Sequence, residues 1–113
     1  MKEIKAIIQH FMADHVLDGL RAMPGLPGVT VSEVKGFGRG RVLGEPTTPE
    51  EPPLFGIKKI KLEIVVPDDV VEKVVQLIAA RARTGNPGDG KIFVYNVQEI
   101  VKIRTGERGE GAI

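Results

Sequence analysis

The chain has 113 residues, enough for one domain with a buried core and too few for two. Its 16 basic and 15 acidic side chains leave a formal net charge of +1, so bulk electrostatics require neither nucleic acid nor an anionic membrane as partner. The absence of cysteine excludes disulfides and thiolate chemistry, and no stretch comes near the ~18 uninterrupted apolar residues of a membrane-spanning helix. Met1-Lys2-Glu3-Ile4-Lys5 opens a strand rather than a signal peptide, which places the protein in the cytoplasm, without direct insertion into a membrane.

Ile4-Lys5-Ala6-Ile7-Ile8 reads as a buried strand. From Phe11 to Met23 the period becomes helical, with Phe11, Val16, Leu20 and Met23 on one face, Asp14 in the early turn and Pro24-Gly25 as the stop. Val29 to Lys35 is β-branched enough for a second strand, which ends at Gly36-Phe37-Gly38. Residues 38–56 carry Pro46, Pro49, Pro52 and Pro53 and almost no apolar period, which excludes a regular helix or central strand. So long an irregular connection in a small domain is expected to be an exposed interaction loop, with a tolerated insertion as the alternative. Ile57 to Val66 then alternates, setting Ile60, Leu62, Ile64 and Val66 against Lys59, Lys61 and Glu63. Pro67-Asp68-Asp69 stops that strand and supplies an aspartate cap for a second helix, whose stripe is Val70, Val71, Val74, Val75, Ile78 and Ala82. Two short strands, Ile92 to Tyr95 and Glu99 to Arg104, and a mobile tail over 105–113 complete the chain.

Between the second helix and the fourth strand runs Arg83-Thr84-Gly85-Asn86-Pro87-Gly88-Asp89-Gly90-Lys91. Three glycines in six positions let the backbone pass through φ > 0 and aim several N–H groups at one spot, and Lys91 closes the stretch with a positive charge. This is the composition of a phosphate cradle; a glycine-rich helix-to-strand turn without a ligand has the same spelling. Gly85 to Lys91 fits G-x-x-x-x-G-K, but Ile92 stands where an NTPase loop needs Ser or Thr for magnesium, and the order is helix, loop, strand instead of strand, loop, helix. The NTPase reading is therefore rejected. His10 and His15 lack the spacing and co-ligands of a metal site, and Ser32 and Thr84 lack an activating base. RNA binding on the sheet would need exposed aromatics in the RNP pattern, and that pattern is absent.

The element order predicts an α+β domain of ferredoxin-like βαββαβ type with an extra C-terminal strand, its sheet apolar enough for subunits to pack face to face. Over nearly its whole length the chain resembles the PII signalling proteins. The resemblance is carried by Thr30-Val31-Ser32-Glu33-Val34-Lys35-Gly36-Phe37-Gly38-Arg39, by Glu63-Ile64-Val65-Val66-Pro67-Asp68-Asp69, and by Arg83 to Val94 with its T-G-x-x-G-D-G-K-I-F-V run. It implies a homotrimer that regulates nitrogen or carbon metabolism, with ATP or ADP bound between subunits. The long loop, the family's T-loop, then reaches a membrane transporter or a metabolic enzyme. The runner-up function is a weak ATP-hydrolysing enzyme, and a third is a purely structural trimer.

By the same resemblance Ile7, Thr30 and Glu63 line the adenine and ribose region, and Gly36, Phe37, Gly38 and Arg39 form the T-loop base beside the phosphates. Gly88, Asp89, Gly90 and Lys91 form the phosphate-binding B-loop. Lys102 and Arg104 match two basic residues that reach phosphates across the cleft, the first a family arginine replaced by lysine, which keeps charge and loses bidentate geometry. Gly40 stands where the family has a glutamine that helps hold magnesium and 2-oxoglutarate, and Pro52 where many bacterial members carry a modifiable tyrosine. Both departures point to a divergent branch with a different partner or effector, although Lys59, near the family's 2-oxoglutarate site, is retained.

Overall fold

The computed structural model describes residues 1–37 and 56–113. Its strands are β1 (Lys2–Gln9), β2 (Thr30–Gly36), β3 (Ile57–Val66) and β4 (Gly90–Asn96), and its α-helices are α1 (Ala13–Arg21) and α2 (Val71–Ala82). The sheet order is β2-β3-β1-β4 and every pair is antiparallel, so the two central strands are those with the cleanest apolar alternation. This is the α+β, ferredoxin-like arrangement expected from the order of elements.

Ile4, Ala6 and Ile8 of β1 and Ile60, Leu62, Ile64 and Val66 of β3 point to one face, where Val16 and Leu20 of α1 and Val74 and Ile78 of α2 cover them. Burying each of the larger side chains contributes about 1.5–3 kcal/mol. The helices are also clasped to each other: Arg81 Nη1 donates to the His15 carbonyl at 2.9 Å, and His15 Nδ1 lies 3.1 Å from the Arg81 carbonyl. A carbonyl only accepts, so that ring nitrogen carries the proton. Gly19 makes room for the clasp, because a Cβ there would lie 2.6 Å from Arg81 Nε. His15, expected to be merely solvated, is an interhelical contact.

The other sheet face carries Ile7, Val34, Val65, Phe93 and Tyr95 interleaved with Lys5, Lys59, Lys61 and Lys91, by the strand registers. Lys5 Nζ lies 4.9 Å from the Tyr95 ring centre and 5.8 Å from that of Phe93, a cation–π stack across two strands. The open face is therefore mixed, not uniformly apolar.

Several expectations need correction. The first helix begins with a 3-10 turn at His10–Met12, which turns Phe11 out of the predicted apolar face and leaves it 61% exposed. Neither Asp68 nor Asp69 caps α2: Val70 holds that position with no side-chain cap, and Asp68 instead accepts from the Met1 ammonium at 2.8 Å. The predicted extra C-terminal strand is absent among the described residues; from Glu99 to Arg104 only Val101 forms a bridge, to Arg108. The local reason is a tight turn, in which Gly106 N–H donates to Lys102 O and Lys102 N–H to Glu107 O. Residues 105–113, expected as a mobile tail, fold back through that turn into a 3-10 turn at Glu110–Ala112, with Ala112 buried. No helix among the described residues is long and apolar enough to cross a membrane.

Candidate functional site

The open face of the sheet is organised in rows. One row pairs Thr30 with Glu63 and then Lys5 and Phe93; the next runs Ser32, Lys61, Ile7 and Lys91, about 6.7 Å further along the strands. Val34, Lys59 and Gln9 make a third, at the end where the chain enters β4. Thus Ile7, Thr30, Glu63 and Lys91, four residues singled out in the sequence, share one face and two adjacent rows. Glu63 and Lys61 pair at 3.5 Å on this face, half-buried.

At the third row sits the glycine-rich loop. Gly85, Gly88 and Gly90 have φ of 88°, 96° and 100°, where a side chain is strained. At Gly90 the demand is also steric, since a Cβ would fall 1.8 Å from the carbonyl oxygen of Ile7. That close approach seats residues 88–91 on the same end of the sheet as Ile7.

The loop is built around an internal anion. Asp89 Oδ2 accepts from Thr84 N–H at 2.8 Å and Gly85 N–H at 2.9 Å, while Oδ1 accepts from the Thr84 hydroxyl and from Gln9 Nε2 at 2.8 Å. These contacts, above all the Thr84 hydroxyl, hold the Asp89 carboxyl below the usual carboxylate range. A carboxylate has about four lone-pair sites, and all are taken. Within the expected phosphate-binding loop, the Asp89 carboxylate thus holds the loop's own shape, and the N–H groups of Thr84 and Gly85 converge on it. Lys59 Nζ adds a second tie, donating to the Gly88 carbonyl at 2.8 Å. Gln9 and Thr84 were missed as site residues because nothing in their local sequence announces a contact 80 or five positions away.

Of the remaining expected residues, Gly36 ends β2 opposite Ile57, and Phe37 follows it, 69% exposed. Gly38, Arg39, Gly40 and Pro52, with nearly all of the 38–56 loop, lie outside the described residues. Lys102 and Arg104 stand on the C-terminal turn, and no hydrogen bond or ion pair among the described residues joins either side chain to the loop at 84–91.

The loop thus offers three glycines at positive φ, one of them pressed against the Ile7 carbonyl, with Lys91 beside them and an apolar residue, Ile7, in the same row as Lys91, an arrangement with room and charge for a phosphate-bearing ligand. No cluster of three potential metal ligands occurs among the described residues. On the helix side the same loop borders a shallow groove lined by Ile8, Ile78, Ala82, Arg83 and Ile92.

Residues 1–107 match the family described as "Nitrogen regulatory protein P-II". Over 113 residues and the full length of both chains, the sequence is 47% identical to the nitrogen regulatory protein P-II of Bradyrhizobium diazoefficiens and 46% to that of Rhodospirillum rubrum. It is 48% identical, again end to end, to nitrogen regulatory protein P-II 1 of Escherichia coli K12. Each of these relatives is named as a regulatory protein. The chain belongs to the nitrogen regulatory protein P-II family, whose members are signalling proteins and not enzymes.

Proposed function

We propose that this protein is a cytoplasmic homotrimeric regulator that binds ATP or ADP and controls a membrane transporter or a metabolic enzyme through its 38–56 loop. The observation that carries the reading is the seating of Gly90 against the Ile7 carbonyl, which leaves no room for a side chain and brings the loop backbone and Lys91 to the row that holds Ile7. Adenine on the apolar part of that row and phosphates at the loop suit the chemistry of the two ends. Lys102 and Arg104, which no hydrogen bond or ion pair among the described residues joins to the loop within one chain, would complete the phosphate site from a neighbouring subunit.

The switch consists of nucleotide favouring one geometry of the loop base, at Gly36 to Arg39, over another. ATP and ADP then differ in the partner affinity that they support. Gly40 and Pro52 favour a divergent branch whose effector is not 2-oxoglutarate. Calorimetry with ATP, ADP and adenosine tests ligand binding, and light scattering tests assembly; absence of nucleotide binding, or a stable monomer at micromolar concentration, overturns the corresponding part. Steady-state turnover of ATP by the purified protein would favour the weak ATPase instead. A pull-down with and without ATP identifies the partner.

A further inference from the structure

We propose that Gln9 is a positioning residue that fixes the 84–90 loop to the sheet and thereby sets its grip on phosphate; the ligand half of this statement rests on the nucleotide reading above. Gln9 is the last residue of β1, on the open face, directly opposite Lys59 of β3. Its Nε2 donates to Asp89 Oδ1 at 2.8 Å, in a half-buried contact. The other donors to that carboxylate, Thr84 N–H, the Thr84 hydroxyl and Gly85 N–H, all belong to the loop.

The two kinds of contact do different work. The three loop donors join the segment leaving α2 to the segment entering β4, so they fix the internal shape of the loop. They say nothing about where that shape sits on the sheet. Gln9 supplies the connection from Asp89 to β1, next to the Lys59 contact to Gly88 from β3. Gly90 is fixed in β4 opposite Ile8, but Gly85 and Gly88 give the segment before it hinges, so that segment, held by its own hydrogen bonds alone, can still swing about the point where it enters β4. Removing Gln9 leaves a closed loop in an averaged position. Phosphate contacts lose strength while a nucleoside that ends short of the loop does not notice.

The test uses the full-length protein with Gln9→Leu, which removes the donor at similar side-chain size, and Gln9→Lys, which restores a donor to the carboxylate. Amide exchange of residues 88–91 is followed without ligand, and calorimetry is run with ATP and with adenosine. Gln9→Leu is expected to speed exchange at 88–91 and weaken ATP about tenfold, the scale of one charge-assisted hydrogen bond, with adenosine within about twofold of wild type. Gln9→Lys is expected to recover both. Unchanged exchange in Gln9→Leu overturns the proposal whatever happens to ATP, and an ATP loss with unchanged exchange would mean that Gln9 touches the ligand itself. Equal losses for ATP and adenosine would make its role generally structural, and also overturn the assignment. If wild type binds no nucleotide, the function proposed above fails, while the exchange comparison still decides whether Gln9 holds the loop.

Discussion

Gly90→Ala tests the seating on which the site depends. The glycine has φ of 100°, and an added Cβ would stand 1.8 Å from the Ile7 carbonyl oxygen. Carbon and oxygen tolerate about 3.3 Å, so the two strands must separate locally by about 1.5 Å or the residue must leave its conformation. Strain at positive φ costs about 1–2 kcal/mol, and forcing a methyl group into a filled space costs about 1–3 kcal/mol more, for a total of about 2–5 kcal/mol. Gly85→Ala is the control: its φ is 88°, but nothing lies within 4 Å of the added carbon, so only the strain of about 1–2 kcal/mol applies. Urea unfolding of wild type and both variants at equal protein concentration measures the difference. ATP calorimetry should show a larger loss for Gly90→Ala as well, since the Lys91 end of the loop moves with it. If Gly90→Ala is no more destabilising than Gly85→Ala, the Ile7 contact is not what holds the loop on the sheet.

Lys91→Ala should weaken ATP binding by about 1.5–3 kcal/mol and leave adenosine binding nearly unchanged, because the ammonium serves phosphate charge; equal losses in calorimetry would make Lys91 structural. Asp89 has a folded-state pKa depressed mainly by the Thr84 hydroxyl. Its contribution is therefore fully present above the unfolded value of about 3.9 and is lost as pH falls through the folded value, so protection of the Thr84 and Gly85 amides should persist at neutral pH and decline in acid below about 3.9. Asp89→Asn should show weakened protection of those amides already at pH 7, and a wild-type profile flat down to strong acid would contradict the assignment. Millimolar 2-oxoglutarate is expected not to tighten ATP binding, because Gly40 has no side-chain oxygen to offer; coupling of ~1 kcal/mol or more in wild type, compared with Gly40→Gln, would refute this.

What was legible in the sequence is what depends on neighbours in the chain. β3 runs from Ile57 to Val66, as its alternation states, because one face of a strand buried under helices must be apolar at every second residue. α2 buries Val74, Ile78 and Ala82 for the analogous helical reason. Sequence and structure part where a local signal meets a tertiary competitor. Glu99 to Arg104 has the composition of a strand, but the turn at Gly106 folds it onto Arg108 before it can join the sheet. Asp68 has the chemistry of a cap, and the Met1 ammonium outbids the helix N-terminus for its carboxylate.

The loop divides along the same line. Glycines at 85, 88 and 90 announce their backbone conformation by being glycines, and the structure has all three at positive φ. A carboxylate announces nothing about which donors fill it. Asp89 stands in the middle of a phosphate-binding spelling, and four donors from the loop and from β1 fill the acceptor capacity of its carboxylate. A motif of this kind therefore mixes two classes of residue: those whose backbone or charge is presented to a ligand, and those spent on holding the others in place. Donor counting puts the Asp89 carboxylate in the second class together with the side chains of Gln9 and Thr84, which the motif does not contain or does not explain.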